Sequence, residues 1–136
     1  MSKVVVLDSA AVDGLARRAI PDAVRAALEA ASRLGRDVVI PSVVLAECYR
    51  DRDRVQAVDS MLSRHVAIQL RDTDKSLARL VGSLLGAADL GSEALVDAHV
   101  VAAAIEQGGG VCLTGDVDDI ERLAAGAGSV TVVAVG

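Results

Sequence analysis

The segment KVVVL, residues 3–7, strings aliphatic side chains together with no polar alternation. A strand with one face in water alternates apolar and polar residues, so an unbroken apolar run needs cover on both faces. DVVI (37–40), VAIQL (66–70), VCL (111–113) and VTVVAV (130–135) supply four more strand-like runs. Segments of helical character separate them, and this alternation predicts an α/β domain around a parallel sheet of about five strands. The hydrophobic fraction is 52%, yet the chain has one tyrosine and no phenylalanine or tryptophan, so its core must be built from Val, Leu, Ile and Ala. At 136 residues it is read as one domain, 1–136.

The helices have recognisable punctuation. PDAVRAALEAASRL (21–34) begins with proline in its first turn and stops at Gly35. Pro41 and Ser42 open a helix through VVLAECYR, and RDRVQAVDSML (52–62) predicts another. DKSLARLVGSLLGAA (74–88) repeats apolar residues three and four apart. ALVDAHVVAAAIEQ (94–107) is a strongly apolar helix ended by Gly108-Gly109-Gly110, and DDIERLAA (118–125) is the last.

The longest apolar runs fall far short of the roughly 20 residues of a membrane span. Met1-Ser2-Lys3 leads straight into a strand without the apolar region of a secretory signal, so a cytoplasmic protein with no membrane association is expected. Cys48 and Cys112 stand apart in apolar surroundings and read as reduced core residues. The net charge of −5 argues against a broad positive surface for nucleic acid, but not against an acidic pocket neutralised by divalent cations. Twelve of the 14 basic residues are arginine, a bias in keeping with a G+C-rich genome.

Four carboxylates fall where this pattern predicts low exposure. Asp8 ends the apolar run 4–7, and in an open α/β sheet ligands bind beyond the carboxyl ends of the strands. Glu47 lies one turn after Val43 and Val44; Asp97 shares a helix face with Val100, Val101 and Ala104; Asp116 follows the fourth strand by two residues. An isolated buried carboxylate is costly. The runs that carry these four contain no lysine or arginine facing inward, which makes one shared divalent ion with oxygen ligands, Mg²⁺ or Mn²⁺, the economical solution.

Each acid also has a plainer use. Asp8 with Ser9 can cap a following helix, Glu47 can turn to solvent or to Arg50, and Asp97 can complement a helix dipole. Asp116 can cap the last helix in a D-x-x-D box with Asp119, while Asp118 and Asp119 suit its first turn. His99 sits off the proposed metal face and reads as a packed or surface histidine, and His65 carries no visible site.

With these residues in place, the sequence resembles the PIN-domain family of metal-dependent ribonucleases, which includes the VapC-type toxins of bacterial toxin–antitoxin pairs. The carriers are VVLDSA (5–10), IPSVVLAE (40–47), LVDAHVVAAA (95–104) and LTGDVDDIERLA (113–124). The resemblance implies a three-layer α/β/α sandwich with strand order 3-2-1-4-5, which would set Asp8 and Asp116 side by side. By the same resemblance Asp8, Glu47, Asp97 and Asp116 match the family's acidic quartet, Asp119 a further acid, and Ser9 and Thr114 supporting hydroxyls. Ala10 departs from the polar residue often found after that first hydroxyl.

The implied activity is hydrolysis of RNA phosphodiester bonds with Mg²⁺ or Mn²⁺, leaving 5′-phosphate and 3′-hydroxyl ends. The implied partners are a small antitoxin and a second copy of the chain. A PIN fold turned to binding or scaffolding is the alternative. A receiver domain would need an acidic neighbour for Asp8 and a lysine beyond Lys75, and the triple glycine precedes a strand rather than opening a phosphate-binding helix. RDRDRVQAVDSMLSR (50–64) reads either as a solvated helix face or as a groove wall whose Arg50, Arg52 and Arg54 meet phosphates or a partner's carboxylate. Tyr49 reads as packing rather than as a base-stacking platform.

Overall fold

In the computed structural model, which describes residues 3–136, the five strands are β1 (Val4–Leu7), β2 (Val38–Pro41), β3 (Gln69–Arg71), β4 (Gly110–Thr114) and β5 (Val130–Ala134). All pair in parallel, in the order β3-β2-β1-β4-β5. The expected α/β class and strand order are both present. The reading of the N-terminus at Met1 and Ser2 lies outside the described residues.

The helices are α1 (Ser9–Ala16), α2 (Asp22–Leu34), α3 (Ser42–Cys48), α4 (Arg52–Arg64), α5 (Lys75–Ala88), α6 (Leu95–Glu106) and α7 (Val117–Leu123), with a single 3₁₀ turn at Ser92–Ala94. Gly35 closes α2 in the left-handed region at φ 66°, as its position predicts. Pro41 and Pro21 precede their helices as cap residues rather than sitting inside the first turn. The expected helix 94–107 is split at its start, because Ser92–Ala94 winds more tightly before α6 begins.

Helices cover both faces. Cys112 on β4 turns its Sγ to the Val100 carbonyl of α6 at 3.8 Å, while Val5, Val111 and Val133 line a groove with the alanines of α2 on the opposite face. Helix α6 is buried continuously from Ala98 to Ala104, where small Ala and Val side chains let it lie close to β1, β2 and β4. Gly110 permits the tightest approach: a Cβ there would run into the Val4 carbonyl of β1.

Two expectations shift. Strand β3 spans three residues rather than 66–70, because Val66 (87% exposed) precedes it in a turn and Leu70 (50% exposed) lies on the sheet edge. Helix α1, which the periodicity alone does not announce, is fixed by its cap: Asp8 Oδ1 accepts from the Ala11 amide at 2.9 Å. Both cysteines are free and buried, and burial pushes each thiol up to about 12, so neither is a thiolate at neutral pH.

Candidate metal centre

The order β2-β1-β4 fixes which acids can meet. Asp8 follows β1; Glu47 lies on α3, directly after β2; Asp116 and Asp119 lie in the turn and helix after β4. Asp97 is in the first turn of α6. These five carboxylates line one concavity of about 320 Å³ at the carboxyl end of the sheet, and Glu93 of the 3₁₀ turn lines it as well. Nothing in the sequence pattern singles out Glu93, which sits in a short polar stretch before α6. Its Oε1 accepts from the Gly91 amide at 3.0 Å, and that bond above all holds the carboxyl below its usual range.

Within the concavity the acids differ in environment. Asp97, Asp116 and Asp119 each present an oxygen within 4.8 Å of the other two. Asp97 is partly buried, and desolvation, then the charges of Asp116, Asp8 and Asp119, pushes its carboxyl up to about 7. Asp119 is likewise raised, chiefly by its hydrogen bond to Asp116. Asp116 and Asp119 are exposed and Glu47 is only partly covered, so low exposure holds fully for Asp8 alone.

Asp8 is satisfied without any ion. Its Oδ2 accepts from Thr114 Oγ1 at 2.6 Å and from the Gly115 amide at 3.0 Å, while Oδ1 caps α1. The cost of its burial is therefore met by three donors, and its role as a cap is real alongside any other. The D-x-x-D capping box at 116–119 does not form: Asp116 occupies the cap position of α7, but its side chain accepts no amide there. Its own amide donates instead to Thr114 Oγ1 at 2.8 Å. Ser9 lines the concavity beside Asp8.

No arginine or lysine pairs with these acids among the described residues. Ion pairs among the described residues join Arg25–Asp22, Arg54–Asp13, Arg54–Asp51, Arg71–Asp74 and Arg71–Glu106. Arg122, one turn along α7 from Asp119, donates to the Ala88 carbonyl at 2.9 Å. His99 is packed, with Nδ1 near the Leu95 carbonyl at 2.8 Å and Nε2 near Thr73 Oγ1 at 2.9 Å, away from the acids. Arg122 is near enough to act on the charges of Glu93 and Asp119 without pairing with either, and an all-carboxylate donor set with no ion-paired cation has the chemistry of a hard divalent-ion site.

Sheet order and acidic edge together define a PIN-like α/β fold. The chain is similar across 96% of its length, with a TM-score of 0.67 and 18% identity, to 98% of a chain in the crystal structure of VapBC2 from Rickettsia felis bound to a DNA fragment from its promoter. A chain of DNA-bound VapBC from Salmonella typhimurium matches with a TM-score of 0.65 and 15% identity over 100% of both chains. One from FitAcB of Neisseria gonorrhoeae matches at 0.64 and 16% identity, covering 94% of this chain and 95% of that chain. No protein-family model and no curated protein matches the sequence.

Proposed function

We propose that the chain, as one domain spanning 1–136, is a Mg²⁺- or Mn²⁺-dependent endoribonuclease and the toxin of a type II toxin–antitoxin pair. The carrying observation is the gathering of Asp8, Glu47, Asp97, Asp116 and Asp119 around one concavity with no cationic partner, on a PIN-like fold. The VapBC and FitAB structures of the same fold support the toxin reading.

In this mechanism Asp97, Asp116 and Asp119 would hold the ion, and Glu47 and Asp8 would complete the acidic wall. When bound, Mg²⁺ or Mn²⁺ supplies Lewis acidity that acidifies a water and offsets charge developing on the phosphate. Thr114 fixes the Asp8 carboxylate and the turn that carries Asp116, so the acids are set before substrate arrives. Asp97, whose carboxyl is pushed up to about 7 by burial and then by its acidic neighbours, would have to be deprotonated to act as a ligand. No nucleophilic side chain is required, since water attacks phosphorus. An ion held there would offset the protein's negative field at this spot, so that a polyanion could approach an acidic protein.

The partners under this reading are RNA, a small antitoxin and a second copy of the chain, in the cytoplasm. No helix among the described residues is long and apolar enough to cross a membrane.

The test is RNA cleavage with Mg²⁺ or Mn²⁺, and with EDTA, comparing the unsubstituted protein with Asp97→Asn and Asp8→Asn. Metal-dependent cleavage lost in both folded variants is expected. Equal cleavage by the variants assigns the activity to a contaminant and overturns the reading. Growth arrest on expression, relieved by the product of a small adjacent reading frame, tests the toxin role.

A further inference from the structure

Next to the acidic concavity, and sharing Glu47 with it, lies a second depression of about 550 Å³ lined by Glu47, Arg50, Asp51, Arg52 and Arg54. The chain turns a corner here: α3 ends at Cys48, and α4 begins at Arg52 behind its cap residue Asp51. Summed along the sequence the corner is close to neutral, but its charges are not equally engaged.

Arg54 is occupied. It donates to Asp13 of α1 at 2.8 Å and lies 4.0 Å from Asp51, so it ties the corner to α1 and accounts for both acids. Asp51 also caps α4 through the Asp53 amide. Among the described residues Arg50 donates to the Glu47 backbone carbonyl alone, at 3.3 Å, an interaction that parks its guanidinium beside the Glu47 turn. Arg52 is exposed, and among the described residues it forms no ion pair. Arg50 and Arg52 therefore line the depression without an ion pair among the described residues, beside Asp51, which leans to Arg54, and Glu47, which lines both depressions.

We infer that Arg50 and Arg52 seat backbone phosphates of an RNA strand next to the one being cleaved, an inference that rests on the nuclease reading. On a chain of net charge −5, arginines free of ion pairs among the described residues and bordering the acidic concavity provide the local attraction that a polyanion needs. Guanidinium is suited to this contact because its paired N–H groups match phosphate oxygens. Glu47 forms the partition: the scissile phosphate lies on its acidic side and the neighbouring phosphates on its basic side. Phosphate contacts of this kind position the strand without reading its sequence.

The experiment measures equilibrium binding of a labelled single-stranded RNA in EDTA over a range of salt, with cleavage kinetics in Mg²⁺ alongside. It compares the unsubstituted protein with Arg50→Ala/Arg52→Ala, Arg50→Lys/Arg52→Lys and the control Arg33→Ala. Arg33 lies in the last turn of α2, which feeds β2 at the opposite edge of the sheet. The double alanine variant should bind roughly tenfold or more weakly and lower the salt slope by about 1.4, the value for two contacts to a single strand. KM should rise in step while kcat holds, the lysine variant should recover the slope, and Arg33→Ala should change nothing. An unchanged slope and affinity in the double alanine variant overturns the inference, whether or not the protein cleaves. Absence of metal-dependent cleavage in the unsubstituted protein instead overturns the nuclease reading, while the binding data still decide on the arginines.

Discussion

Thr114 Oγ1 donates to Asp8 Oδ2 at 2.6 Å across the β1–β4 pairing, although the two residues stand 106 positions apart in the chain. Both are buried, Thr114 completely. The same hydroxyl oxygen accepts from the Asp116 amide, so one side chain couples the acid after β1 to the turn that carries the acid after β4.

Thr114→Val keeps the shape and removes that link. Asp8 Oδ2 is then left with the Gly115 amide, and the Asp116 amide loses its acceptor. Losing a hydrogen bond to a charged acceptor costs about 1.5–3 kcal/mol, so thermal unfolding should shift down by several degrees. RNA cleavage should fall further than the stability loss explains, because the acids are no longer held in register. Thr114→Ser, which retains the hydroxyl, should keep most of both. A valine variant with unchanged Tm and cleavage would remove Thr114 from the site.

Asp97 makes stability depend on pH in a defined direction. Its folded value, about 7, lies above the ordinary 3.8, so the folded protein binds this proton more tightly than the unfolded chain. The contribution is favourable at acid pH and is lost as pH rises from about 4 through 7. Asp97→Asn should therefore raise Tm at pH 8, by a few degrees for about 1–2 kcal/mol once solvent screening is allowed for, and leave it nearly unchanged at pH 4. Melting curves of metal-free protein at the two pH values check this. A variant less stable than the parent at pH 8 would show that Asp97 is not strained by its neighbours.

Metal addition should act on the same group from the other side. An ion that binds only the folded state stabilises it by about 2.7 kcal/mol at a hundredfold excess over its dissociation constant. Mn²⁺ or Mg²⁺ should thus raise Tm at pH 8, with proton release detectable by buffer-dependent calorimetry. The rise should shrink at pH 5.5, where Asp97 holds its proton, and vanish in Asp97→Asn/Asp116→Asn. An equal rise in that variant would place the ion elsewhere.

The strands were readable because a parallel sheet covered on both faces leaves its signature in composition, as in Val4–Leu7 and Val38–Pro41. β3 was harder, since an edge strand has one neighbour and a partly wet face; Leu70 is half exposed, and the apolar run 66–70 overstated the element. Asp8 and Asp97 stood out as acids in apolar surroundings. The local pattern makes Asp119 only a first-turn acid, and the resemblance alone marks it as a further acid of the site, because an exposed acid in a first turn has the same local sequence whether or not it approaches two others. Glu93 was invisible for a related reason: only the fold brings the polar turn before α6 to the edge where Asp8 and Asp116 lie. Local patterns locate the apolar core well, but they overstate the burial of Glu47, Asp97 and Asp116 and pass over Glu93.

Arg71 shows how an exposed-looking arginine can hold an edge strand in place. All five of its N–H groups are used: Nε and Nη2 donate to Glu106 of α6 at 2.7 and 2.9 Å, Nη1 and Nη2 to Asp74 at 3.2 Å each, and Nη1 to the Asp72 carbonyl at 2.6 Å. Asp74 in turn caps α5 by accepting from the Leu77 amide at 2.9 Å. The two carboxylates raise the affinity of the guanidinium for its protons, and Arg71 holds Asp74 below its usual range. Surface ion pairs are each worth little, but a fork shared between two carboxylates is a network with fixed geometry. Arg71→Lys keeps the charge and loses the fork, so it should cost about 1–2 kcal/mol and resemble Arg71→Ala more than the parent. The loss should appear first as faster amide exchange in β3 and the first turn of α5, with β1 and β4 protected until global unfolding. A lysine variant with parental exchange in β3 would show that charge alone secures this edge.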